Sequence, residues 1–373
     1  MDSRYDPHLS ISLSLLKGLT SGTIRQLSEK GVGPEDFFRM PSSELNSLLG
    51  LNPTNGFDKS KREQALLEAH KELEKVKRHN IEVLFILDDN YPLRVSQTPD
   101  APTVLYKLGH ADLNMPHFLS VVGTRKPTPY GLNFTETLIK DLSSFFPDIT
   151  IVSGLAYGID ACAHRAAIEN DRTTVAVVAH GLDMIYPASH RNLAQKIIAS
   201  GGTIISEYIF GEKPYRQRFL ERNRIVAALS DATFVAESDI KGGAMSTANT
   251  AFSYSREVMV IPGRVSDKNS AGCNLLIRKE KARLITSASD LMDTLGWEPE
   301  NISLTVQQRG LFPELEGKEK NVYDVLRFSN EPVQLDRIHQ LTLIPMSELL
   351  ALLAELEFDG VILRHPGNRF SPA

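Results

Sequence analysis

The feature that most constrains this chain is an alternation that runs from Phe118 to Ile261. Six short and nearly unbroken apolar runs, at 118–122, 149–152, 175–179, 203–205, 233–236 and 258–261, are separated by stretches of helical spacing at 134–146, 161–169, 192–200 and 244–255. Runs this short and this continuously apolar read as strands buried on both faces, as in a parallel sheet. Strand and helix in alternation demand right-handed crossovers and an open, mostly parallel sheet. The predicted fold class is α/β.

The flanks differ from this middle. Residues 9–80 have Leu and Ile at helical spacing, broken by Gly18, Gly22, Gly31, Gly33 and Gly50, and the turn Leu16-Lys17-Gly18-Leu19-Thr20-Ser21-Gly22 leads into a second helix. That turn either offers N–H groups to a phosphate or simply caps two packed helices, and both readings stand at this point. A strand is predicted at 81–87, followed by a proline-punctuated extended stretch to Tyr106. Residues 299–317 have the composition of a linker. Beyond it, helical spacing at 321–328, 333–340 and 346–358 precedes an apolar strand that turns at Pro366-Gly367-Asn368, the pattern of a winged helix. The predicted domains are 1–80, 81–298 and 318–373, joined by the 299–317 linker.

Bulk composition narrows the function classes. At 42% hydrophobic and 23% charged, the chain is ordinary for a globular protein. It has no apolar run of membrane-spanning length, and Met1-Asp2-Ser3-Arg4-Tyr5-Asp6 lacks a signal pattern, so a cytoplasmic location with no membrane span is expected. Two cysteines, Cys162 and Cys273, lie in separate motifs, which argues against a disulfide framework or a zinc site. The net charge of −5 excludes a protein coated in basic surface but not a local anion site. Residues 118–298 hold 20 Lys and Arg against 19 Asp and Glu, whereas 318–373 hold 6 against 8, so a nucleic-acid site is expected in the middle of the chain.

In a parallel sheet the loops after the strands converge on one edge. Here they read Gly123-Thr124-Arg125-Lys126, Ser153-Gly154-Leu155-Ala156-Tyr157-Gly158, Lys241-Gly242-Gly243-Ala244-Met245-Ser246-Thr247 and Pro262-Gly263-Arg264. Glycines let an anion approach the backbone, and each following helix directs its N-terminal N–H groups to the same place. No G-x-G-x-x-G follows the first strand, and no G-x-x-x-x-G-K-[ST] occurs. Arginine and hydroxyl groups in their place suit a phosphodiester chain. The stretch from Lys213 to Arg224 adds five cations against one acid, with Tyr215 and Phe219 interleaved. On a helix from about Gln217, Arg218 and Arg222 share one face and Phe219 and Asn223 the next. Cations beside an aromatic face match the chemistry of single-strand binding, with Arg216, Phe219, Arg222, Asn223 and Arg224 as candidates.

Catalytic alternatives are weaker. Asp160, Cys162 and His164 fall on one helix, but the alanines around them require close packing on the sheet, so Asp160 reads as a cap and His164 as a hydrogen-bonded structural residue. His180 at a strand end and the Ser206-Glu207 pair are polar edge residues without metal-ligand spacing. No cofactor and no metal is expected.

Taken in order, Val122-Gly123-Thr124-Arg125 with Tyr130-Gly131, Ser153 to Asp160 with Ala163-His164, Ser206-Glu207-Tyr208, Phe219 with Arg222-Asn223-Arg224-Ile225, Val260-Ile261-Pro262-Gly263 and Gly272-Cys273-Asn274-Leu275-Leu276-Ile277 resemble the signature blocks of the DNA-processing protein A family, also called Smf. The resemblance implies a Rossmann-like, mostly parallel sheet flanked by an N-terminal helical domain of the SAM or helix-hairpin-helix type and a C-terminal winged helix. It implies a non-enzymatic protein that binds incoming single-stranded DNA during natural transformation, protects it, and helps load the recombinase RecA. The implied DNA groove comprises Gly123, Thr124, Arg125, Lys126, Ser153, Gly154, Gly158, Arg216, Phe219, Arg222, Asn223, Arg224, Gly242, Gly243, Ser246 and Thr247. The family also implies a homodimer through Asn274, Leu276 and Ile277. The winged helix, with its excess of acids, reads as a protein-contact module. The rival class is a phosphoribohydrolase-like Rossmann enzyme using a G-G-x-G-T-x-x-E loop. Here that loop reads Gly242-Gly243-Ala244-Met245-Ser246-Thr247-Ala248-Asn249, without the later glycine and without the glutamate that acid–base work needs.

Overall fold

The computed structural model describes residues 5–50, 57–299, 317–329, 332–358, 361–365 and 367–372. It divides into two compact units, residues 1–299 and 300–373, and all but the two end residues of the expected 299–317 linker lie outside the described residues.

Five helices open the first unit: α1 (Pro7–Leu15), α2 (Ser21–Glu29), α3 (Pro34–Arg39), α4 (Ser42–Leu49) and α5 (Lys59–Arg78). Asp6, Thr20 and Asp58 cap α1, α2 and α5 by accepting the N–H groups of His8, Thr23 and Lys61. Gly18 (φ 86°) makes the left-handed turn between α1 and α2. The buried Arg62 guanidinium donates to the Phe37 and Met40 carbonyl oxygens at 2.7 and 2.8 Å, satisfying acceptors that the end of α3 leaves open. Ile11, Leu13, Phe37 and Leu45 share one apolar cluster with Leu84, Leu105 and Tyr106 of the first two strands, so these helices pack directly onto the sheet edge.

The sheet is built from β1 (Glu82–Phe85), β2 (Val104–Gly109), β3 (Phe118–Val122), β4 (Thr150–Ser153), β5 (Thr173–Val177), β6 (Thr203–Ser206), β7 (Ala232–Val235), β8 (Glu257–Val260) and β9 (Arg283–Leu284), in the spatial order β1-β2-β6-β5-β4-β3-β7-β8-β9. From β6 through β9 every neighbouring pair is parallel, while β1 and β2 extend the far edge antiparallel. The interleaved helices are α6 (Leu93–Ser96), α7 (Pro129–Phe145), α8 (Ile159–Glu169), α9 (Arg191–Ala199), α10 (Arg216–Ala228), α11 (Gly243–Ser253), α12 (Ala271–Arg278) and α13 (Ala288–Leu295). The α/β class and the mostly parallel sheet read from the sequence are therefore correct. Val178, Ala179, Ala236 and Ile261 were expected in strands and are buried just past the ends of β5, β7 and β8, where the Val178 and Ala236 N–H groups still donate to the Ile205 and Val122 carbonyls at 2.9 and 3.1 Å.

The chain proceeds β3, β4, β5, β6 in one direction and then returns to lay β7 on the other side of β3. Such a reversal opens a crevice outside the carboxyl ends of the strands, where doubly wound sheets hold ligands.

The second unit contains α14 (Gly317–Arg327), α15 (Leu335–Thr342) and α16 (Met346–Phe358), with β10 (Val333–Gln334), β11 (Ile362–His365) and β12 (Arg369–Pro372) in the order β10-β12-β11. Val322, Leu326, Ile338, Leu349, Leu353 and Phe370 form its separate core. The helix expected from residue 333 begins at Leu335 because Val333 and Gln334 pair with Phe370 and Arg369 as a short strand. Three helices and a hairpin make the winged helix that the pattern predicted. Among the described residues, no helix is long and apolar enough to cross a membrane.

Candidate nucleic-acid interface

The loop after β3 is held from both sides. Thr124 N–H donates to the Glu237 carbonyl at 2.7 Å, and Ile159 N–H donates to the Thr124 carbonyl at 3.2 Å. The Glu237 carboxylate, buried after β7, accepts from Thr128 N–H at 2.8 Å and from its hydroxyl at 2.5 Å. Gly158 (φ 79°) allows the next loop to lie against this one, since a Cβ there would fall on the Thr124 carbonyl oxygen and within 2.7 Å of the Arg125 carbonyl carbon. The result is a rigid loop from which Arg125 and Lys126 project into solvent with no ion pair among the described residues.

Beneath the loop after β4 lie two buried polar side chains, Asp160 and Arg222. Asp160 accepts the N–H groups of Gly154 and Ala156 at 3.2 and 3.3 Å. Arg222, only 4% exposed, donates to the Gly154 carbonyl at 2.6 Å and to the Val177 carbonyl. Gly154 is thus gripped at its N–H by one partner and at its carbonyl by the other, and a Cβ at this position would meet the guanidinium at 2.5 Å. Burial pushes the Asp160 carboxyl up, with Arg222 opposing the shift. Burial brings Arg222 down to about 10, with Asp160 opposing, so the guanidinium stays protonated at neutral pH.

Helix α10 delivers the aromatic element. The Arg125 guanidinium lies 5.6 Å from the centre of the half-exposed Phe219 ring, and the Tyr186 ring lies 5.8 Å from Phe219. Arg216 is exposed without an ion pair among the described residues, whereas its neighbours on the helix are engaged. Arg218 pairs with Glu212 and lies against the Tyr208 and Tyr215 rings. Arg224 pairs with Glu207 and reaches Asp100 at 3.9 Å. Asn223 donates to the Gly243 carbonyl at 3.4 Å, linking α10 to the glycine turn of Gly242 and Gly243 that opens α11. Ser246 is half-exposed one turn further on.

Several residues expected in the groove face inward. The Ser153 hydroxyl is buried and donates to the Val121 carbonyl at 2.6 Å, because β4 pairs alongside β3 at that point. Thr247 is buried against the sheet, and Arg222 lies beneath the loop it was expected to flank. In the α12 block, the Asn274 amide brackets Gly263, accepting its N–H at 3.3 Å and donating to its carbonyl at 3.0 Å. Leu276 is 2% exposed in the core, and of this trio Ile277 keeps partial exposure on an apolar side chain.

The polar residues weighed for catalysis are spent within the fold. His164 is fully buried with Nδ1 at 2.7 Å from the Thr174 hydroxyl, and burial lowers it to about 3. His180 has Nδ1 at 2.9 Å from the Gly181 carbonyl, and its Nε2 accepts from Tyr186 N–H at 3.2 Å. Those partners require the neutral ring with its proton on Nδ1. Burial lifts the Cys162 thiol to about 12, beyond the reach of an activated nucleophile. Among the described residues, no three His, Cys, Asp or Glu side chains converge as metal ligands would. Two open rings, Tyr157 and Tyr186, were not among the expected site residues, although Tyr157 stands inside the second glycine loop. Their signal in the sequence is an aromatic residue in a loop that follows a strand on the binding edge.

A doubly wound sheet with a glycine-lined carboxyl edge and a separate winged helix defines a Rossmann-like protein of the two-module kind. A family model described as DNA recombination-mediator protein A matches residues 82–296, and one described as DprA winged helix domain matches 311–368. The chain belongs to the DNA recombination-mediator protein A family. It is 32% identical to protein Smf of Synechocystis over 91% of this chain and 96% of that protein. It is 38% identical to a putative DNA processing protein DprA of Mycobacterium tuberculosis over 70% of this chain and 66% of that one. The structure of DNA processing protein A from Streptococcus pneumoniae superposes with a TM-score of 0.62 at 33% identity, covering 77% of this chain and 95% of that one. That of the Helicobacter pylori protein, a study of its single-stranded DNA binding mode, gives 0.52 at 34% identity over 58% and 95%.

Proposed function

We propose that this protein binds single-stranded DNA along the carboxyl edge of its parallel sheet, protects incoming strands, and as a homodimer helps load RecA during natural transformation and recombination. One observation carries the DNA reading. The Arg125 guanidinium, exposed on a loop that Glu237 and Gly158 hold in place, stands 5.6 Å from the ring of Phe219, which is half-buried on α10. A phosphate on Arg125 with its base on Phe219 is the elementary unit of sequence-tolerant strand binding. Lys126, next to Arg125 on the same loop, and Arg216, at the start of α10, add two further exposed cations. Support for RecA loading and for self-association comes from family membership, with Ile277 on α12 as the residue of that block still able to offer apolar surface. In this reading the protein acts by binding, and the buried Asp160, His164 and Arg222 maintain the groove.

Fluorescence anisotropy with single- and double-stranded oligonucleotides at two salt concentrations tests the reading. The expected result is preferential binding of single strands that weakens with salt as counterions are released. Arg125→Ala should lower the slope of log affinity against log salt by about 0.7, the value for one phosphate on a single strand. Phe219→Ala should weaken binding with little change in slope. Nucleotide hydrolysis abolished by Arg125→Ala, with no oligonucleotide binding, would instead favour a Rossmann enzyme.

A further inference from the structure

We infer that the same edge carries a second base-binding station, built from Tyr157, Ser189, His190 and Arg191, so that a bound strand runs across the sheet from α10 towards α9. The inference rests on the single-strand reading and extends it to residues that the Arg125–Phe219 unit does not use. Tyr157 is 47% exposed at the crest of the loop after β4. A large aromatic ring left open on a short loop needs a reason to hold its position, and this one is held twice. Its hydroxyl shares a hydrogen bond of 2.9 Å with the Ser189 hydroxyl, and its ring meets the His190 imidazole edge-on at 4.9 Å between centres. His190 is fixed in turn, with Nδ1 at 2.9 Å from the Leu155 carbonyl of the same β4 loop. The ring is therefore ordered before any ligand arrives, which removes part of the entropy that binding would otherwise cost.

The station repeats the composition of the first. Arg191, next in sequence to His190 at the start of α9, is exposed and forms no ion pair among the described residues, so an open cation follows directly on the imidazole that holds the ring. A phosphodiester strand presents that pair of features at each nucleotide. The two stations are close. Tyr186 lies 5.8 Å from the Phe219 ring, and it begins the tight turn that contains Ser189 and His190, closed by His190 N–H donating to the Pro187 carbonyl at 2.9 Å. Three residues of chain span at most about 10 Å, so the second station stands within one or two nucleotides of Tyr186. Tyr186 itself is 46% exposed and offers a further face beside Phe219.

A ladder of oligo-dT from about 3 to about 16 nucleotides, the range of site sizes for single-strand grooves, tests this by anisotropy. Tyr157→Ala should leave the shortest oligomers bound as in the wild type and cost the longer ones about five- to hundredfold, as expected for one lost stack. Arg191→Ala should lower the salt slope for the longer oligomers alone. Phe219→Ala should weaken every length. Tyr157→Phe keeps the ring while losing the Ser189 bond, and retention of most of the affinity would assign the effect to stacking and not to the loop. If Tyr157→Ala and Arg191→Ala match the wild type at every length while Phe219→Ala weakens binding, the second station is wrong and the first stands. If the wild type binds no oligomer of any length, both fail together.

Discussion

At the scale of single residues, Arg222 best illustrates how a cation in a basic segment can serve the fold. Its donors are taken by the Gly154 and Val177 carbonyls, so removing it leaves two buried acceptors without a partner. Arg222→Ala should destabilise the protein by about 1–3 kcal/mol for each acceptor left unpaired. Arg222→Lys should also lower the melting temperature, since an ammonium cannot fork to both carbonyls. DNA affinity should drop in each, yet the salt slope should match the wild type, in contrast to Arg125→Ala. His164 makes a second prediction. Its ordinary value of 6.5 falls to about 3 in the fold because burial disfavours the charged ring. The unfolded chain therefore binds the extra proton first. The contribution of the neutral ring is complete above pH 6.5 and is lost as the pH falls towards about 3. Each pH unit within that window removes about 1.4 kcal/mol. Urea midpoints measured between neutral pH and about pH 4.5 should fall more steeply in the wild type than in His164→Gln.

At the scale of elements, the binding edge depends on two loops touching. Gly158, with φ 79° and no Cβ, lets the β4 loop lie against Thr124 and Arg125. Gly158→Ala should cost about 1–3 kcal/mol in strain and also displace the Arg125 loop, so thermal stability and oligo-dT affinity should fall together. The alternation of strands and helices was legible in the sequence because burial on both faces leaves unbroken apolar runs, as at 118–122. The ends of the elements were less so. Val178 and Ile261 are as apolar and as buried as their strand neighbours, so composition gives no sign that β5 and β8 end before them. Val333 was misread as helical for a related reason, since its pairing with Phe370 links residues far apart in the chain.

At the scale of the whole molecule, the two units have separate cores, and residues 318–373 of the second carry an excess of acids, 8 Asp and Glu against 6 Lys and Arg. Helix α16, placed third as a recognition helix would be, carries Glu348, Glu355 and Glu357 and no lysine or arginine. Leu349→Ala should therefore unfold or loosen the second unit, at about 2–5 kcal/mol for a buried leucine, without changing oligo-dT affinity. Calorimetry would show one transition lowered and the other kept, while anisotropy stays constant.

What the sequence by itself determined is the class of fold, the order of the modules and the edge on which ligands meet the chain. Those follow from local periodicity and from the rule that parallel strands end together. It placed Arg125 and Phe219 among the candidates, and the structure sets their side chains beside each other. It could not tell which arginines of α10 stand open. Arg216, Arg218, Arg222 and Arg224 are alike in type and close in spacing, but one faces solvent, two find acids on other segments, and one passes under Gly154. That division was decided only when β4, β5 and the segment after β6 were brought against α10, because a cation takes its role from the carbonyls and carboxylates that the tertiary fold places around it.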